Sequence, residues 1–178
     1  MFNDKFLLTQ AVLNGTKTMT RRVIKKEIPI GNWQETEKTL RYKVGEVVAV
    51  AQSYKTIYPN ADFEMVGKGF MTETPGWSNK MFVKADLMPH HIRITDVRVE
   101  RLQDITDEDC LKEGIMRFIP ADDEECTEDG YGYLTSDGGW FMFDTPREAY
   151  ASLINKICGK GTWKRNPWVE AYTFEMVD

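Results

Sequence analysis

In Ile92-Arg93-Ile94-Thr95-Asp96-Val97-Arg98-Val99-Glu100-Arg101-Leu102 the apolar residues fall at Ile92, Ile94, Val97, Val99 and Leu102. The alternation breaks once, near Thr95-Asp96. Period two is the signature of a strand with one buried face, and a single slip in it predicts a β-bulge. Working outward, Trp168, Tyr172, Phe174 and Met176 stand against Glu170 and Glu175, which predicts a half-buried strand over residues 168–176. Upstream, Val44-Gly45-Glu46-Val47-Val48-Ala49-Val50 sets a turn glycine before a dense β-branched run, predicting a buried strand over residues 46–54.

Helices separate these strands. Phe6, Leu7, Ala11 and Leu13 recur at roughly helical spacing and Gly15 follows as a stop, predicting a short helix within residues 5–14. Thr106-Asp107-Glu108-Asp109 is a capping-box-like start with an acidic first turn, and Gly114 ends the helix it opens. Thr145-Pro146-Arg147-Glu148 combines an N-cap, a proline at the first helical position and a capping glutamate. After it Ala149, Leu153, Ile154 and Ile157 form one apolar stripe. Residues 55–79, rich in Gly, Pro, Thr and aromatics without a period, read as an irregular excursion with one short strand. Residues 120–139 are acidic and glycine-punctuated, and read as a solvated insertion or flap. With no repeat and no low-complexity tract, this order favours a mainly β barrel with packed helices, or an α+β layout, over a doubly wound sheet.

The chain has 178 residues, enough for one substantial core, and a single domain over residues 1–178 is expected. Its 42 % hydrophobic and 29 % charged residues match a soluble globular protein and exclude a disordered or fibrous one. The N-terminal stretch carries Asp4 and Lys5 before an apolar run that Thr9, Gln10 and Asn14 interrupt. Neither a signal peptide nor a membrane span is expected, and a cytoplasmic location follows. Cys110, Cys126 and Cys158 are odd in number and widely spaced, so reduced thiols are expected rather than disulfides or a zinc site. His90 and His91 lack further ligands nearby, and no metal or cofactor is expected. A net charge of -5 excludes a protein that coats nucleic acid by bulk electrostatics, but leaves room for a local basic site.

That local site is Gly15-Thr16-Lys17-Thr18-Met19-Thr20-Arg21-Arg22, with Lys25 and Lys26 just after it. Threonine hydroxyls beside guanidinium forks suit a phosphate or a base edge, although a basic run alone is more often a solvated face. Glu113, at a helix end before a glycine, is a second candidate whose plainer reading is a surface carboxylate.

The order Asn14 to Arg22, then Tyr42-Lys43-Val44-Gly45-Glu46-Val47, resembles the G-x-K-T-x-T-R-R and Y-K-V-G-D signatures of ASCH-domain proteins. Arg93-Ile94, Val97 to Thr106, the helix to Glu113-Gly114-Ile115, and Gly161 to Val169 look like the versions encoded by phages and prophages of bacteria. The resemblance implies a PUA-like pseudo-barrel of the ASCH type, with a cleft near the Lys-Thr segment and a nucleoside, nucleotide or RNA as partner.

Three functional readings follow from it. The first is a binding module for a nucleotide, modified base or single-stranded RNA, using Lys17, Thr18, Arg21, Arg22 and Arg93, with Tyr54 or Trp77 as stacking platforms. The second is an amidohydrolase that deacylates an N-acylated nucleoside such as acetylcytidine. The resemblance maps its lysine, threonine and glutamate to Lys17, Thr20 and Glu113. A lysine of lowered pKa would activate the threonine, Arg21 and Arg22 supplying the like charge, and Glu113 would orient the lysine. The third is a phage accessory or assembly protein. Many of the phage proteins that it resembles show W-V-R-E-T-W where this chain has Ala49-Val50-Ala51-Gln52-Ser53-Tyr54, so the Arg-Glu pair is replaced by Ala51 and Gln52.

Overall fold

The computed structural model describes residues 1–25, 27–29, 31–119 and 130–178. Its helices are α1 (Leu8–Leu13), α2 (Trp33–Thr39), α3 (Tyr54–Ile57), α4 (Asp107–Lys112), α5 (Pro146–Cys158) and α6 (Thr162–Arg165). Its strands are β1 (Met19–Val23), β2 (Val47–Ala49), β3 (Glu64–Met65), β4 (Gly69–Phe70), β5 (His91–Arg101), β6 (Met116–Phe118), β7 (Gly130–Leu134), β8 (Trp140–Phe143) and β9 (Trp168–Met176). The architecture is α+β, built on a curled antiparallel half-barrel sheet of order β1-β9-β5-β2. A three-stranded sheet β6-β7-β8 and the small hairpin β3-β4 complete it.

β5 and β9 are the long central pair, and their register shifts between Ile94 and Asp96. Ile92 and Ile94 are buried before the shift and Val97 after it. The extra residue thus moves the buried positions from even to odd and leaves Arg98 and Glu100 on the other face. On one face, Ile94, Val97, Tyr172 and Phe174 pack with Val12, Leu40 and Val50. On the other, Val169 joins Leu102, Ile105 and Ile115 beneath Tyr150 and Leu153 of α5.

α5 forms where its caps predict: the Thr145 side chain accepts from the Glu148 amide and Pro146 fills the first helical position. The first helix is shorter than expected, because a left-handed Leu7 (φ 53°) separates a 3-10 turn at Asp4–Phe6 from α1. The strand expected over residues 46–54 stops at Ala49, since Ser53 caps α3 by accepting from the Thr56 amide. The excursion over residues 55–79 is mostly turns, with β3 and β4 as its strands. It closes over a small core of its own, formed by Tyr54, Met65, Met71 and Met88. No helix among the described residues is long and apolar enough to cross a membrane.

Half of the expected acidic insertion is corrected. Residues 120–129 lie outside the described residues, but Gly130–Leu134 is a core-forming strand with Gly130, Gly132 and Tyr133 buried. The glycines there serve close approach rather than a turn: a Cβ at Gly132 would collide with the Phe141 carbonyl oxygen of β8. Gly132→Ala must therefore push β8 away, and is expected to cost about 1–3 kcal/mol in urea unfolding. An unchanged midpoint would contradict this packing.

Candidate functional site

Gly15 takes a left-handed φ of 74° after α1 and turns the chain into β1. The Lys17 amide donates to the Ala11 carbonyl (2.9 Å) and the Thr18 amide to the Lys112 carbonyl (2.9 Å). These two bonds hold the start of β1 against the ends of α1 and α4. The Lys17 side chain is then only 2 % exposed. Its Nζ donates to the Met19 carbonyl (2.7 Å), the Glu113 carbonyl (2.6 Å) and Glu113 Oε2 (2.7 Å). An ammonium has three protons, and all three are taken up. Burial lowers the Lys17 pKa, and the attraction of Glu113 only partly offsets it.

Asp109 and Glu113 are four residues apart at the end of α4 and so share a face. Arg21 reaches both, with Nη2 to Asp109 Oδ2 at 2.7 Å and Nη1 to Glu113 Oε1 at 3.3 Å, while its Nε donates to Glu100 Oε1 at 2.8 Å. Arg98 Nη2 donates to the same Asp109 oxygen at 3.0 Å. Burial pushes the Asp109 carboxyl up, but the two arginines overcome this and hold it below the usual carboxylate range. Lys17, Arg21, Arg98, Glu100, Asp109 and Glu113 thus form one charge network tying β1, β5 and α4 together.

Beside the network, along the outer edge of β1, lies a cavity of about 1260 Å³. β1 is an edge strand, so residues from both of its faces border the space. Leu153, Ile154 and Ile157 of α5 form an apolar wall. Lys17, Arg21, Glu113 and Tyr150, all buried, lie at the deep end. Nearer solvent stand Arg22, Lys25, Arg41 and Arg165, none of which forms an ion pair with a described residue. Glu170, also buried, lines the cavity and accepts from the Tyr172 hydroxyl at 2.7 Å. Among the described residues no group of three or more His, Cys, Asp or Glu is placed to hold a metal ion.

The structure sorts the predicted residues. Lys17 and Glu113 meet, and Thr20 borders the same cavity. Thr20 alternates with Met19 and Arg21 along β1, and its hydroxyl has no hydrogen bond to Lys17, Glu113 or any other described residue. Arg22 borders the cavity. Arg21 borders it too, but its guanidinium is taken up by three carboxylates and serves the fold. Thr18 is half-buried and does not border the cavity.

Three residues expected to bind lie away from this cavity. Tyr54 is 1 % exposed in the core of the excursion, where its hydroxyl accepts from the Lys84 amide, so it offers no stacking face. Trp77 packs against the same core. Arg93 sits seven residues along β5 from Glu100, about 23 Å away at strand rise, and pairs with Glu175 on the surface. Sequence reading missed Arg41, Tyr150, Arg165 and Glu170. For Tyr150 a signal existed, since it precedes Leu153, Ile154 and Ile157 on one helical face.

No family model matches the chain, and neither a curated protein nor a solved structure matches it.

Removing one member of a buried pair strands the other. Glu113→Gln is expected to lower the free energy of unfolding by about 3 kcal/mol, because it leaves both Lys17 and Arg21 short of charge. Lys17→Met is expected to cost less, since Arg21 still compensates Glu113. Urea unfolding of both variants checks the order, and equal wild-type stability in Glu113→Gln would refute the network's structural role.

Proposed function

We propose that the chain is a nucleotide-binding protein of the ASCH kind, taking a free nucleotide, or one nucleotide of a single-stranded RNA, into the cavity beside β1. The observation that carries this reading is the rim. In a protein of net charge -5, four cations gather at one opening without a carboxylate partner among the described residues. Unpaired guanidinium groups suit the phosphate, and the α5 wall suits the flat face of a base. Ligand pockets usually run to about 300–1,000 Å³, so the space admits a nucleotide with room to spare.

The meeting of Lys17 with Glu113 favours a second reading, deacylation of an N-acylated nucleoside. For that chemistry Lys17 must release a proton to free a lone pair for Thr20. Its lowered pKa helps, but three acceptors hold it as an ammonium, and no hydrogen bond joins it to Thr20. Binding without turnover is expected.

Calorimetric titration with the four nucleoside 5'-monophosphates tests the first reading. Saturable binding is expected, weakening between about 50 mM and about 200 mM salt, with Arg22→Ala and Arg165→Ala each reducing affinity and flattening the salt dependence. Affinity indifferent to salt and to both substitutions would refute the cationic rim. A panel of N-acylated cytidines tests the second: no release of acid is expected. Turnover abolished by both Lys17→Ala and Thr20→Ala would instead establish the hydrolase.

A further inference from the structure

The deep end of the cavity holds a polar group that neither the fold nor the charge network uses. Tyr150 is 2 % exposed, and its hydroxyl oxygen is fully buried without a hydrogen-bond partner among the described residues. A buried hydroxyl left unpaired costs about 1–3 kcal/mol, and phenylalanine would fill the same space without that cost. The ring is accounted for by packing, with Trp163 edge-on at 6.2 Å between centroids. The oxygen is not.

Its setting points to a ligand. Tyr150 borders the cavity together with Leu153, Ile154 and Ile157, which lie three, four and seven residues further along α5 and share its face. The wall is therefore apolar along its length, with Tyr150 at its inner end beside Glu113 and Arg21. Burial pushes the phenol well above its ordinary pKa, and the neighbouring Glu113 carboxylate pushes it further against the opposing pull of Arg21. The hydroxyl thus stays protonated, a neutral donor. A second buried polar atom on the same cavity, Arg22 Nε, also lacks a partner among the described residues.

We infer that Tyr150 is the base-reading residue of the cavity: its hydroxyl donates to a ring nitrogen or carbonyl on the edge of a nucleobase lying against Leu153, Ile154 and Ile157. The phosphate then sits outward, among Arg22, Lys25, Arg41 and Arg165. This assignment rests on the nucleotide reading and adds the residue that selects the base.

Tyr150→Phe removes one heavy atom and no hydrogen bond to a described residue. The variant is expected to unfold at the same urea concentration as the wild type or a higher one. It is expected to bind the best-bound nucleoside 5'-monophosphate about tenfold more weakly, the loss of one hydrogen bond to a buried group. Because the contact is neutral, the factor is expected to be the same at low and high salt, unlike that of Arg22→Ala. Equal affinity of the two proteins would overturn the assignment and leave nucleotide binding standing. So would lowered stability with unchanged affinity, which would mark the hydroxyl as serving the fold. Failure of the wild type to bind any of the four nucleotides would overturn both.

Discussion

An ammonium group buried in a protein must be compensated by charge and saturated by acceptors, and Lys17 meets the first demand and most of the second through Glu113, the C-cap of α4. Glu113 supplies a carboxylate oxygen and its own carbonyl, and Met19 supplies the third acceptor. The consequences spread outward. Glu113 is also held by Arg21, Arg21 by Glu100 and Asp109, and Asp109 by Arg98. The edge strand β1, hydrogen-bonded to β9 along its inner edge, is thereby tied through Arg21 to both α4 and the central strand β5, so its outer edge stands open without the strand peeling away.

That open edge makes the cavity. A fully paired strand would present one face to each side of a sheet, whereas the edge of β1 exposes residues of both faces to a single space. Thr20 and Arg22 reach it from one face, and Arg21 from the other. α5 closes the space with an apolar stripe. The same stripe packs the core beneath it, which is why Leu153 and Ile154 serve as core and wall at once. The inner charges are spent on one another, while the outer ones have no carboxylate partner among the described residues. Depth thus separates a structural network from a cationic rim.

How much of this was legible depends on where each residue's partner lies. β5, its bulge, β9 and α5 were readable because apolar periodicity and caps are local signals. β1 was not, because one of its two buried positions is Arg21, whose partners are 79, 88 and 92 residues away. Pattern reading scores an arginine as exposed. β7 was mistaken for a loop because Gly130 and Gly132 look like turn residues, when they are small to let β8 approach. Tyr54 looked like a platform because aromatic side chains read alike in a core and in a site. Lys17 and Glu113, 96 residues apart, were linked only through the ASCH resemblance, while the rim residues Arg41 and Arg165 carry no local mark at all.

On the proposed reading, one cavity binds a nucleotide with its phosphate outward and its base inward. The most direct measurement is a crystal structure of the protein with a nucleoside 5'-monophosphate. Phosphate oxygens are expected within hydrogen-bond distance of at least two of Arg22, Lys25, Arg41 and Arg165, and the base along α5 with its edge at Tyr150. A nucleotide bound elsewhere on the surface, or bound here with its phosphate at the Lys17–Glu113 end, would contradict it.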